Sequence, residues 1–126
     1  MSKECIFCEL DETHEVIYKG KVWTAIMDGF PVSEGHTLLI PNRHVETYFD
    51  LTTFEMMSLN LAIKNVKEIL DNRYHPDGYN IGMNCGEAAG QTVMHCHVHI
   101  IPRYKGDVEN PRGGVRGVIP NKKEYG

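Results

Sequence analysis

The sequence predicts an α+β domain: a mainly antiparallel sheet of five strands carrying one long helix. Three observations support this. Five short apolar runs, at residues 15–19, 22–27, 35–41, 79–84 and 95–101, are bounded by Gly, Pro, Asn or Asp. One stretch alone, opening at Leu51-Thr52, repeats apolar residues at steps of three and four. The first two runs are separated only by Gly20-Lys21, a connection short enough for a tight hairpin of antiparallel strands. A chain of 126 residues is one domain of ordinary size and can bury a modest core.

The elements follow in order. Asp28-Gly29-Phe30-Pro31 breaks the second strand, and Pro41 closes the third before a turn at Asn42-Arg43-His44. In the helix, Thr52 or Thr53 is the cap, and Glu55 stands three residues after Thr52 as in a capping box. Met56, Leu59, Ile63, Val66 and Leu70 form the core face, with Lys64, Lys67, Glu68 and Asp71 opposite. The pattern fades at Asn72-Arg73-Tyr74, and Pro76-Asp77-Gly78 is a turn. Residues 85–90 are a small-residue loop whose glycines, including Gly90, allow close approach of backbone N–H groups to phosphate oxygens; a plain hairpin turn is the competing reading. After Arg103 the chain is irregular, with a short strand at residues 115–120 and a frayed end from Asn121 to Gly126.

Composition narrows the function. A net charge of −4 and a pI near 5.9 argue against binding nucleic acid by phosphate neutralisation. No apolar run approaches the roughly 20 residues needed to span a membrane. The first residues, Met1-Ser2-Lys3-Glu4-Cys5, lack the apolar region of a signal peptide, so a cytoplasmic location is expected. The four cysteines are then expected to be reduced. Cys5-Ile6-Phe7-Cys8 therefore suggests a metal before a disulfide, with a redox pair or two buried thiols as the other readings. Two cysteines leave zinc in need of two further ligands.

The densest chemistry lies in His95-Cys96-His97-Val98-His99-Ile100-Ile101-Pro102, read as a strand ended by Pro102. Alternation puts the three histidines on one face and Cys96, Val98 and Ile100 on the other. The outer two histidines are then roughly 13 Å apart, too far to share one metal without distortion. The row suits imidazoles with different tasks: nucleophile, acid or base, ligand.

This run, with Gly90-Gln91-Thr92-Val93-Met94 before it, resembles the signature of the histidine triad (HIT) family. The likeness runs from about Cys5 to the end of the histidine strand, and the tail from Asn110 to Arg116 resembles a segment of diadenosine-polyphosphate-cleaving and Fhit-like members. It implies a HIT-like fold, a homodimer and a nucleotide substrate attacked at its α-phosphorus by His97 to give a nucleotidyl-histidine. His99 would contact the phosphate and assist the leaving group, and His36 would support the triad by hydrogen bonding. Gln91 and Thr92 match phosphate-bonding positions, Asn84 a position at the α-phosphate, and Asp28 an acceptor for the ribose hydroxyls. Ile6, Phe7, Leu10 and Ile26 match the apolar base slot, with core packing as the plainer reading. Some bacterial members carry a structural zinc on residues matching Cys5, Cys8, His44 and His95.

The leading expectation is a nucleotidyl hydrolase or transferase acting on dinucleoside polyphosphates or nucleoside phosphoramidates. A nucleotide-binding regulatory module with incidental turnover is a second reading. A hydrolase with catalytic zinc on His95 and His97 is a third.

Overall fold

The computed structural model describes residues 5–125. The expectations placed on residues 1–4 and 126, the leaderless start and the last residue of the tail, lie outside the described residues. Strands β1 (Val16–Lys19), β2 (Trp23–Met27) and β3 (Thr37–Pro41) form an antiparallel meander. At the first turn Gly20 N–H donates to the Trp23 carbonyl at 2.8 Å, and a Cβ on Gly20 would lie 2.9 Å from that oxygen, so the turn needs glycine. Helix α1 (Thr53–Tyr74) then carries the chain across the sheet to the edge strand β4 (Gly78–Gly82), and β5 (Val98–Arg103) returns between β3 and β4. The strand order is β1-β2-β3-β5-β4, with every pair antiparallel. The predicted five-stranded sheet with one helix is the fold observed.

The helix starts where the capping box places it. Thr52 Oγ1 accepts from Glu55 N–H at 3.1 Å, and Glu55 Oε1 accepts from Thr52 N–H at 2.8 Å. It ends at His75, whose φ of 53° is left-handed. Leu59, Ala62, Val66 and Leu70 pack with Trp23, Ala25, Leu39, Val98 and Ile100 from the sheet, while Met56 and Ile63 flank them. The opposite parity of the same strands presents Ile26, Leu38 and Ile40 to the other face, where Phe7 joins them. The helix thus covers one face of the sheet, and Phe7 with Ile26, Leu38 and Ile40 lies on the other.

Two expectations are corrected. The histidine segment is a strand only from Val98, and it runs through Pro102 to Arg103. Both ladders stop at its start, β3 at Leu39 opposite Val98 and β4 at Gly82 opposite His99, while Cys96 N–H turns away to the Val45 carbonyl at 2.7 Å. Pro102 is tolerated because β3 pairs no further than Ile100, so no bond on that side misses its N–H. The alternation survives without the ladder: Cys96, Val98 and Ile100 are all buried under α1. The tail is also neither a strand nor frayed. It forms 3-10 turns at Gly114–Val118 and Pro120–Lys122, fastened by Arg116 to the Lys122 and Lys123 carbonyls and by Arg112 to the Tyr125 carbonyl.

Candidate active site and metal corner

The N-terminal C-x-x-C closes into a turn in which Cys8 N–H donates to the Cys5 carbonyl at 3.1 Å. Both thiols point at two imidazole nitrogens from distant parts of the chain. Cys5 Sγ lies 3.6 Å from His44 Nδ1 and 3.3 Å from His95 Nδ1; Cys8 Sγ lies 3.1 and 3.4 Å from the same two atoms. The two Nδ1 atoms are 3.0 Å apart. Donors about 2.0–2.3 Å from a tetrahedral centre sit roughly 3.3–3.8 Å from one another; the separations here, 3.0 to 3.6 Å, come close to that spacing, and two thiols with two imidazoles are a donor set suited to zinc. The tautomer agrees: His95 Nε2 faces the Pro41 carbonyl at 3.0 Å, which can only accept, so Nε2 carries the hydrogen and Nδ1 offers its lone pair. Burial holds the His95 imidazole below its ordinary pKa, in the neutral form a ligand requires. Burial and the neighbouring Cys5 push the Cys8 thiol up to about 11, so a cation is what would turn it into a thiolate at neutral pH.

Beside this corner a cleft of about 480 Å³ opens on the sheet face away from α1. The Cys turn projects Ile6 and Phe7 into its wall, opposite Ile26 and Leu38. The Phe7 ring meets His97 edge-on at 5.1 Å. His97 Nδ1 donates to the His95 carbonyl at 2.8 Å, which leaves the Nε2 lone pair free. The His97 and His99 rings are 5.2 Å apart, and both line the cleft.

A chain of bonds sets the proton on His99. Val32 N–H donates to His36 Nδ1 at 3.1 Å, so the hydrogen of neutral His36 is on Nε2. That nitrogen lies 3.0 Å from His99 Nδ1 and 3.3 Å from Asp28 Oδ2. His99 therefore accepts at Nδ1 and carries its own hydrogen on Nε2. Burial, then the fields of His97 and His36, push His99 down to about 4, and burial also lowers His36 against the opposing pull of Asp28. Both are neutral at pH 7. Asp28 Oδ1 accepts from Phe30 N–H at 2.8 Å, which holds the carboxylate on the cleft wall.

Among the residues singled out in the sequence, Ile6, Phe7, Ile26, Asp28, Asn84, Gly90, Thr92, His97 and His99 line this cleft. His36 stands behind it, against His99. Gln91 does not line the cleft. Its side chain is buried and turned inward, accepting from Gly86 N–H and donating to the Glu46 and Val93 carbonyls, so it braces the loop. Leu10 packs behind the slot on Phe7 and Ile26 without lining it. Leu38, Val93 and the exposed Phe30 line the cleft and carried no sequence signal apart from their proximity to Asp28, Thr92 and His36.

The family model described as the HIT domain matches residues 9–106. An uncharacterised HIT-like protein of Methanocaldococcus jannaschii is 39% identical over 108 residues, covering 83% of each chain. The asymmetrical bis(5'-nucleosyl)-tetraphosphatase of Schizosaccharomyces pombe is 37% identical over 107 residues, 85% of this chain but 59% of that enzyme. A solved zinc-bound histidine triad family protein from Mycobacterium smegmatis superposes with a TM-score of 0.79 at 32% identity, covering 87% of this chain and 82% of that one.

Proposed function

Because the chain belongs to the HIT family, we propose that it is a nucleotide hydrolase or transferase working through a nucleotidyl-His97 intermediate. The observation that carries this reading is the paired tautomers of His97 and His99: a free Nε2 lone pair on one, an Nε2–H on the other, in a single cleft. His97 Nε2 attacks the α-phosphorus and the bond from phosphorus to the leaving oxygen or nitrogen breaks; His99 Nε2–H donates a hydrogen bond to the departing atom, which takes any proton it needs from water. Water then attacks the phosphorus, loses its proton to solvent, and releases the nucleoside monophosphate and free His97. Asn84, Thr92 and the backbone at Gly90 face the phosphate, Asp28 accepts from the ribose hydroxyls, and Ile6, Phe7 and Ile26 hold the base.

Cys5, Cys8, His44 and His95 would hold a structural zinc, which when bound lends binding energy to the fold. Four protein donors leave no position for water, and His97 engages its Nδ1 with a carbonyl; both disfavour zinc as the catalyst. A homodimer is supported by the open edge of β4 and by Phe54, Met57 and Leu61 exposed along α1.

Quenched single-turnover reactions with diadenosine tetraphosphate or adenosine phosphoramidate test the chemistry. An adenylyl group should appear on the peptide bearing His97, and His97→Ala should lose both the adduct and turnover, by at least about a thousandfold. Turnover by His97→Ala close to wild type would overturn the assignment.

A further inference from the structure

The loop between the Cys turn and β1 adds two polar residues to the nucleotide cleft, Thr13 and His14. The cleft's other polar side chains, Asp28, Asn84, Thr92, His97 and His99, lie just after β2 or around the β4–β5 connection. Strand pairing fixes where His14 stands. Val16 is opposite Ile26 in the β1–β2 ladder, and one step beyond it Met27 N–H donates to the Glu15 carbonyl at 2.9 Å. The next pair in this register is His14 and Asp28, and alternation turns both to the face that Ile26 shares with Phe7. Both residues line the cleft. On its other side Asp28 N–H donates to the His36 carbonyl at 2.9 Å, so Asp28 stands between His14 and the His36–His99 pair.

The His14 ring is held in place. Its side chain is only 21% exposed, and its N–H donates to the Asp11 carbonyl at 3.0 Å. Asp11 N–H donates in turn to His14 Nδ1 at 3.2 Å. Asp11 Oδ1 lies at the same distance from Nδ1 but already accepts from the Thr13 N–H and hydroxyl. Nδ1 is thus the acceptor of a main-chain N–H, and the ring hydrogen sits on Nε2, the nitrogen left for the cleft. A second proton on Nδ1, beside the Asp11 carboxylate, leaves that hydrogen where it is.

We propose that His14 is a second sugar-selecting residue: its Nε2–H donates to an oxygen of the ribose diol while Asp28 accepts from the hydroxyl hydrogens. The proposal rests on the nucleotide reading above, in which Asp28 meets the ribose. A hydroxyl both donates and accepts, whereas a carboxylate only accepts. Asp28 alone therefore leaves the diol oxygens without a protein donor, and its neighbour across the register supplies one. Asp28 keeps acceptor capacity for the sugar, since Oδ1 takes the Phe30 N–H and Oδ2 faces His36. The base rests on the apolar wall of Ile6, Phe7 and Ile26, so the sugar is the part of the ligand that matches a polar side chain beside Asp28. A sugar without hydroxyls leaves the donor and the carboxylate unmatched, and that penalty makes the pair selective.

Calorimetric titration of the full chain with AMP and with 2′,3′-dideoxy-AMP tests this in the wild type, His14→Phe, His14→Gln and Asp28→Ala. Phenylalanine keeps a ring packed on the loop but has no donor. His14→Phe should weaken AMP about three- to tenfold, the range of one hydrogen bond, and the dideoxy nucleotide less than about twofold. His14→Gln, whose amide donates, should recover part of the AMP affinity. If Asp28→Ala loses AMP selectively while His14→Phe binds AMP as the wild type does, or loses both ligands equally, the role of His14 is overturned and the reading of Asp28 stands. If Asp28→Ala loses both ligands equally, or the wild type binds neither, the nucleotide reading of the cleft fails, and the role of His14 with it.

Discussion

His36 Nε2 lies 3.0 Å from His99 Nδ1, and the direction of the bond between them is set from outside the pair by the Val32 N–H on His36 Nδ1. His36 thus orients His99 without facing the nucleotide cleft. His36→Ala should lower kcat about 10–100-fold with little change in KM, and His36→Gln, which can still donate at the same place, should recover part of it. Steady-state kinetics of the two variants checks this; an equal loss in both would mean that His36 only fills space.

The same burial predicts acid sensitivity. His99 falls from an ordinary 6.5 to about 4 in the folded protein, and His36 and His95 move the same way. Between those values the unfolded chain binds more protons than the folded one. Stability is therefore complete above about 6.5 and is lost as pH falls toward 4. Thermal melts from pH 7 to pH 4 should show a falling midpoint, less steep in His99→Asn.

Asp28 offers Oδ1 and Oδ2 at the cleft wall while holding Phe30 N–H and facing His36. Asp28→Ala should weaken ribonucleotides tenfold or more and deoxyribonucleotides less, since a charge-assisted hydrogen bond contributes about 1.5–3 kcal/mol. Inhibition constants for AMP and its deoxy analogue measure the difference. Equal losses would remove Asp28 from the ribose.

Zinc at the corner of Cys5, Cys8, His44 and His95 should be found by elemental analysis of protein purified without a histidine tag. Chelation, or Cys8→Ser, should lower the melting temperature while some turnover survives. Activity that vanishes in proportion to the metal, with the fold unaltered, would place the ion on the reaction path.

Glu55 links the helix start to the turn that carries His44. Its carboxylate accepts from Arg43 Nε at 3.0 Å and Nη2 at 2.8 Å, and from the Thr52 N–H. The Arg43 bonds hold it at about 2 against an ordinary 4.5, so its contribution is present above about 4.5 and is lost as pH falls through 2. Glu55→Ala should cost about 1 kcal/mol in denaturant titrations at neutral pH, through the lost cap.

The sequence made the helix cap legible because Thr52 and Glu55 act locally, and the two faces of the sheet because alternation survives irregular backbone, as at Cys96. What it hid was set by distant partners. Val45 takes the Cys96 N–H and ends the strand early, and three backbone groups claim the Gln91 amide, which by motif alone reads as a phosphate ligand. The tail was illegible for a related reason: Arg112 and Arg116 are exposed cations by composition, and only the fold shows them turned onto their own chain end.

Ile6 and Phe7, which wall the nucleotide slot, are the two residues between Cys5 and Cys8. A ligand pressing on that wall and a cation holding its two ends act on the same four-residue turn. Their affinities are then coupled, and the coupling is reciprocal. A filled corner should tighten nucleotide binding, and bound nucleotide should slow the escape of the cation to a chelator by the matching free energy.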